Sequence, residues 1–472
     1  MVQNVEPPKP PERPVSTREY LEDLVEAATE AGGASGTPGT GILTRDTALG
    51  RLLLGRGRPR LLLIVVAALG PGLIAANAGN DAGGIATYSA VGAQFKYSLL
   101  WSFLPILVSL SVIQEMAARM GAATGKGLSD LIRENFSIHT TVIVLLALLV
   151  ANGSTAVSEF VGIAASVDLI IPHAQYIAVP LIAAGLWLLV VRGSYSAVER
   201  VLLAMTLVFF AYPISAFLAP HVSWGQVATA MVVPQVHLTQ GYLITLVALI
   251  GTSITPYMQV YVQSAIADKG VTPRDYLPER VGVYVGSVFA MLIFLFILVA
   301  TASTLYPNPN ITSAAQAAAA LGPVAGAYAK YLFAVGLFGA SMLAAAVLPL
   351  ATAYSITEAL GVEKGVSAGF REAPVFMGIF TGLIALGALV SLLPLPTIKV
   401  LIITQVVDAL LLPFVLFSIL RLANSRKLMG DMVNGRIYNV IAGAATIIVT
   451  CLSIALLIIT VLGWFGLGPS GS

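Results

Sequence analysis

The chain has 472 residues, 57 % of them hydrophobic and only 10 % charged, with 25 Lys and Arg against 23 Asp and Glu; its mean hydropathy is +0.89. That composition excludes an ordinary water-soluble globular protein, and the near-neutral balance, without a dense basic stretch, excludes a nucleic-acid partner. The single cysteine, Cys451, excludes an intrachain disulfide framework and is expected to be a small buried apolar residue.

Residues 1–15 are proline-rich and polar, and "STREYLEDLVEAATEAG" then reads as a short amphipathic helix capped by Ser16 or Thr17 and stopped by Gly32. "GGASGTPGTG" follows as a flexible linker. The first 50 residues lack the apolar core of a cleavable signal peptide, so insertion is expected to start at the first long apolar run. A hydrocarbon core of about 30 Å takes about 20 apolar residues per helix, and about eleven such runs follow. They cover 61–90, 97–121, 139–165, 176–191, 198–218, 239–266, 280–305, 325–358, 373–394, 398–421 and 437–463.

With the N-terminus in the cytoplasm, all of the 25 cationic side chains except Lys96, Lys330 and Lys399 fall on inner segments. That asymmetry orients membrane proteins, and an odd number of spans then puts the C-terminus outside. The expected setting is the plasma (inner) membrane of a bacterium, with the lipid bilayer as the surrounding partner.

Two runs are interrupted by polar and helix-breaking residues: the first at "NAGNDAGG" and the sixth at "IGTSITPYMQ", where Pro256 removes a backbone donor. Irregular backbone at membrane depth survives only where protein or a cavity satisfies it. Paired breaks five spans apart are the mark of an inverted-repeat transporter that binds its substrate near the midplane. The expected organisation is therefore a cytoplasmic tail over 1–60, a first five-helix repeat over 61–218, a second over 219–422, and an added helix and tail over 423–472. The fold class is an all-α membrane protein of about eleven helices with a LeuT-like five-plus-five inverted repeat. Asp81, in the first break, is costly at that depth and so is expected to face a polar cavity and mark an ion pathway. A second reading has it cap the half-helix that follows; the two are compatible. The flexible backbone around it lets the Ala78 carbonyl share the same space, and hard oxygen donors of this kind suit Mg²⁺, Ca²⁺ or Mn²⁺.

"GPGLIAANAGNDAGGIATYSAVGAQFKYSLLW" resembles the first helix of the NRAMP divalent-metal transporters, which reads GPxxxxxxxxxDPGNxAT. "QEMAARMGAATGKGLSDLIRE" at 114–134, "STAVSEFVGIA" at 154–164, "IGTSITPYMQVYVQSA" at 250–265 and "TQVVDALLLPF" at 404–414 continue the resemblance in order, through that family's second, third, sixth and tenth helices.

The departures bear on chemistry. Against the family's DPGN the chain has Asp81, Ala82, Gly83 and Gly84, so the carboxylate stays and the asparagine ligand is lost. The metal-binding methionine position is Thr255, the proton-linked histidine position is Tyr257, and one of two acidic positions of the third helix is Ala156 while Glu159 keeps the other. A hydroxyl in place of a thioether removes a soft donor, and Gly84 is expected to widen the site. A roomier all-oxygen pocket suits Mg²⁺, which keeps several of its waters. The pattern resembles the bacterial NRAMP-related magnesium transporters. Tyrosine titrates near pH 10 and histidine near 6.5, so Tyr257 is a poor proton carrier, and movement of the ion is expected not to be obligatorily proton-coupled.

The resemblance thus implies a secondary transporter, not an enzyme, that carries Mg²⁺, with Mn²⁺ also accepted, and needs no cofactor. The expected metal site comprises Asp81, Ala78, Gly84, Thr252, Thr255 and Gln405. Asn77, Asn80, Tyr257, Gln259, Asp408 and Glu159 are expected along the pathway or behind the ligands. Glu115 and Arg119, four residues apart, are expected to pair structurally. The four histidines fall in loops or at span ends, away from the site. The alternatives are a proton-coupled Mn²⁺/Fe²⁺ importer and an amino-acid symporter of the same fold.

Overall fold

The computed structural model describes residues 81–191, 210–219, 222–237, 239–308, 311, 313–362 and 369–464. The expected tail helix and linker, Asn77, Ala78, Asn80, the greater part of the first and fifth apolar runs, and His221 lie outside the described residues.

Among the described residues every regular element is a helix. We number the main ones α1 (Ala82–Phe95), α2 (Phe103–Thr124), α3 (Leu128–Asn135), α4 (Ile138–Ile170), α5 (Gln175–Val191), α6 (Ala211–Leu218) and α7 (Trp224–Val232). Then come α8 (Gln240–Ser253), α9 (Pro256–Asp268), α10 (Tyr276–Thr304), α11 (Ala329–Leu360), α12 (Pro374–Ser391), α13 (Thr397–Ala423) and α14 (Arg436–Trp464). Eight segments among the described residues are long and apolar enough to cross a membrane. They coincide with the second, third and sixth to eleventh runs of the sequence, and the short fourth run is the apolar helix Gln175–Leu189.

Burial sorts the spans. The interrupted one, Gln240–Ala267, is the most enclosed, with 94 % of its most apolar stretch buried, against 28 % for Arg436–Thr460. The broken helix is therefore at the centre and α14 at the edge. Cys451, expected to be buried, lies exposed on that peripheral helix, because an edge helix presents most of its circumference to lipid.

Lipid tails give helices no hydrophobic reason to associate, so close approach and interhelical hydrogen bonds hold a bundle together. Glycines mark the closest approaches. A Cβ at Gly92 of α1 would lie 2.0 Å from Thr301 Oγ1 and 2.4 Å from the Leu298 carbonyl of α10. At Gly251 of α8 it would lie 2.0 Å from the Gln405 carbonyl of α13. Helix α4 packs against α11, α12 and α13, and α9 against α2.

One end of the bundle gathers the cations. Glu115 pairs with Arg119 at 3.3 Å, as expected, and also with Arg280 at 3.4 Å. Arg119 donates to the Met432 carbonyl at 2.7 Å and to Asn434 Oδ1 at 2.6 Å, and Arg280 donates to the Tyr438 hydroxyl at 2.8 Å. Arg133 of α3 donates to the Glu358 carbonyl at the end of α11, 3.0 Å away. The network ties the start of α14 to α2 and α10. At the other end Trp101 donates to the Tyr242 hydroxyl at 2.9 Å, and the Asn308 amide to the Ala93 carbonyl at 2.9 Å.

Candidate functional site

Asp81 begins α1 as its N-cap, with extended backbone at φ −75° and ψ 173°. Its Oδ1 accepts the Gly84 amide hydrogen at 2.6 Å, while Oδ2 is buried without a protein partner. The capping read from the sequence thus uses one oxygen and leaves the other free. The free N–H groups and dipole of the half-helix favour a negative charge here. The neighbouring Ala82 amide donates to Glu159 Oε2 of α4 at 3.4 Å, and Glu159 Oε1 has no partner. Asp81, expected to face a polar cavity, is 1 % exposed and so closed off from bulk solvent in this conformation.

The second break has a local cause. In a continuous helix the Thr252 carbonyl would accept from the amide of residue 256, and Pro256 has no N–H to give. α8 therefore stops at Ser253, Ile254 caps it through its amide to the Ile250 carbonyl, and Thr255 is extended at φ −71° and ψ 137° before Pro256 opens α9. The hydroxyls of Thr252 and Thr255 are both buried without partners. The Thr252 hydroxyl faces Asp81 without reaching hydrogen-bond geometry with it.

Gln405 of α13 connects the two breaks. A Cβ at Gly83 would lie 1.8 Å from Gln405 Nε2, and one at Gly251 would lie 2.0 Å from the Gln405 carbonyl. The residue is thus wedged against α1 with its side chain and against α8 with its backbone. Its Nε2 makes only a long contact of 3.5 Å to Thr404 Oγ1, and its Oε1 is unpartnered. One turn on, Asp408 Oδ2 accepts from Thr155 Oγ1 at 2.7 Å, leaving Oδ1 without a partner. Glu159 lies within electrostatic reach of both Asp81 and Asp408. The ion pairs of Glu115, Glu134 and Glu279 do not involve Asp81, Glu159 or Asp408.

Gly84 has a different part from the one expected. It does not widen the site: a Cβ there would lie 2.7 Å from Cε1 and Cζ of Phe294 and 3.0 Å from Asp81 Oδ1. The volume freed by the missing side chain is filled by an aromatic ring from α10. Gly84 instead allows that close packing and supplies the N–H that caps Asp81. Tyr257 is buried with Met258, Ala156 and Leu348 in one apolar cluster, and Gln259 is fully buried with both amide atoms unpartnered. His139, His173 and His237 are exposed.

Among the described residues no three His, Cys, Asp or Glu side chains stand close enough to hold an ion by themselves. The buried neutral oxygens without a partner at these elements are the hydroxyls of Thr252 and Thr255 and Gln405 Oε1. Two residues of the site were not singled out in the sequence. Thr155 could have been found, since Asn152, Thr155 and Glu159 share a face of α4 at helical spacing. Phe294 could not, because it lies in the featureless run "MLIFLFILVA".

A family model described as natural resistance-associated macrophage protein-like matches residues 72–459. The divalent metal cation transporter MntH of Deinococcus radiodurans is 28 % identical over 423 residues, covering 86 % of this chain and 93 % of the relative. That of Acidiphilium cryptum is 25 % identical over 399 residues, covering 82 % and 89 %. The crystal structure of the Eremococcus coleocola manganese transporter superposes with a TM-score of 0.68 at 21 % identity, over 88 % of this chain and 91 % of that one. Mhp1, a nucleobase-cation-symport-1 family transporter, matches in fold with a TM-score of 0.51 at 15 % identity, over 85 % and 94 %.

Proposed function

The chain belongs to the natural resistance-associated macrophage protein-like (Nramp) family, and on that premise we propose that it is a divalent metal cation transporter whose ion sits between the two helix breaks. The observation that carries this reading is the set of buried, unpartnered oxygens there: Asp81 Oδ2, Thr252 Oγ1, Thr255 Oγ1 and Gln405 Oε1. Buried polar atoms are normally satisfied, and oxygens left free around one carboxylate suit a hard cation. Asp81 supplies the charge, the two threonines and Gln405 supply neutral oxygens, and the carbonyls of Ala78 and Thr252 complete the set. Asn77, Asn80, Tyr257, Gln259, Glu159 and Asp408 line the route or stand behind the ligands.

The relatives' names point to Mn²⁺. The proposed donors include no thioether, thiol or imidazole, and nothing in such a set discriminates against Mg²⁺. The reading is therefore that Mg²⁺ and Mn²⁺ both cross, by alternating access around a fixed site. Inward movement needs no second gradient, since a negative interior favours entry by about 2.3 kcal/mol per charge per 100 mV; the flux is proposed not to be obligatorily proton-coupled. The inner placement of the cation-rich face and of the N-terminus, in a bacterial plasma membrane, belongs to the same proposal.

Proteoliposomes test it. Mg²⁺ and Mn²⁺ are expected to enter without stoichiometric acidification of the lumen, and Asp81→Ala is expected to abolish entry of both. Entry of Mn²⁺ alone, in step with luminal acidification, would replace this reading with that of a proton-coupled Mn²⁺ importer.

A further inference from the structure

We propose that Phe294 is the apolar wall of the ion site and a determinant of which cations it takes; this rests on the transport reading above and goes beyond it. A Cβ built at Gly84 would lie 3.0 Å from Asp81 Oδ1 and 2.7 Å from both Cε1 and Cζ of Phe294. A side chain at position 84 would therefore start beside the carboxylate. In this chain the edge of the Phe294 ring, from a different helix, takes that place.

The ring is held firmly. It stacks on Tyr88 with centroids 4.3 Å apart and an interplanar angle of 7°, and it is 2 % exposed. The Tyr88 hydroxyl lies 2.8 Å from Ser253 Oγ, and Ser253 Oγ lies 2.6 Å from the Leu249 carbonyl. A carbonyl only accepts, so the single hydroxyl hydrogen of Ser253 goes to Leu249 and Tyr88 donates to Ser253. The stack is thereby anchored to the last turn of α8, beside the second break. Phe294 thus touches α1 at Gly84 and Tyr88 and is tied through Tyr88 to the other half-helix.

On that side Asp81 Oδ1 accepts the Gly84 amide hydrogen at 2.6 Å, and the ring that flanks Gly84 adds only C–H groups. The ring edge carries partial positive charge that suits the carboxylate. It offers an ion no ligand, which leaves the free Asp81 Oδ2 and the unpartnered oxygens of Thr252, Thr255 and Gln405 as the protein donors. That arrangement favours a small, strongly hydrated cation and gives a soft one nothing to gain.

Two nearly isosteric substitutions separate a wall from a packing residue. Phe294→Met and Phe294→Leu are similar in size, but only methionine brings a soft thioether to the carboxylate. In proteoliposomes carrying each full-length variant, Cd²⁺ and Mg²⁺ uptake are measured side by side. Phe294→Met is expected to raise the Cd²⁺-to-Mg²⁺ ratio about tenfold, a difference of about 1.4 kcal/mol, while Phe294→Leu keeps the parent ratio. Equal ratios in the two variants overturn the proposal. Should Phe294→Met not yield folded protein, Gly84→Met with Phe294→Ala brings the thioether into the same volume from α1. The same rise is then expected, and an unchanged ratio again overturns the proposal. Parent vesicles that admit no divalent cation would instead refute the transport reading itself.

Discussion

Thr155 of α4 donates a hydrogen bond of 2.7 Å to Asp408 of α13, between side chains that are both fully enclosed. The bond joins two helices that pack along their length and leaves the second Asp408 oxygen unpartnered within electrostatic reach of Glu159. Structure and charge are separable at this pair. Thr155→Val removes the donor and strands a buried carboxyl oxygen, at a cost of about 1–3 kcal/mol, and is expected to lower the melting temperature in detergent. Asp408→Asn keeps an acceptor for Thr155 and removes the acidic group. It is expected to leave the melting temperature nearly unchanged and to slow Mn²⁺ and Mg²⁺ uptake several-fold.

Asp81 can be divided in the same way. Asp81→Asn retains a side-chain oxygen for the Gly84 amide, whereas Asp81→Ala loses the cap as well, worth about 1 kcal/mol. Both variants are expected to lose Mn²⁺ binding by calorimetry, but only Asp81→Ala is expected to melt earlier. An Asp81→Asn protein that bound Mn²⁺ like the parent would remove the carboxylate from the site.

The glycines beneath Gln405 differ in what a methyl group would strike. At Gly83 it meets the Gln405 side chain, with Nε2 at 1.8 Å and Cδ at 2.5 Å, which must shift; at Gly251 it meets the Gln405 backbone carbonyl at 2.0 Å, which moves only with its helix. Gly83→Ala is therefore expected to fold and to transport weakly, with Gln405 displaced. Gly251→Ala forces α8 off α13 and is expected to cost about 1–3 kcal/mol or more, visible as reduced yield of monodisperse protein.

At the cation-rich end, Glu115 is the enclosed partner of two arginines, with a side chain 1 % exposed against 43 % for Arg280. Losing Glu115 leaves Arg119 and Arg280 without their carboxylate, and breaking such a pair costs about 3–5 kcal/mol, whereas losing Arg280 leaves Glu115 paired with Arg119. Glu115→Gln is expected to lower thermal stability sharply and Arg280→Gln only slightly. Matching losses in the two variants would show that the network acts as one unit.

Much of this was legible in the residues. The long apolar runs announced spans, and eight of them are helices long enough to cross a bilayer. Asp81 and Pro256 announced breaks because a carboxylate and a missing N–H each have a local meaning that no partner is needed to read. Other features were not legible. Gly84 was read as added width, since a sequence shows that a side chain is missing and not what moves into its place. Cys451 was read as buried because its own run is apolar, and apolar residues face lipid as readily as they face the core.

The amino-acid sequence by itself determined the membrane setting, the helical class, the helix start at Asp81 and the break at Pro256. Each follows from local hydropathy, backbone chemistry or residue type. Only the tertiary structure decided that Gln405 touches both breaks, that Thr155 rather than a cation meets Asp408, and that Phe294 closes the space beside Asp81. Those contacts join residues far apart in the chain, and helix packing, which no local pattern encodes, brings them together.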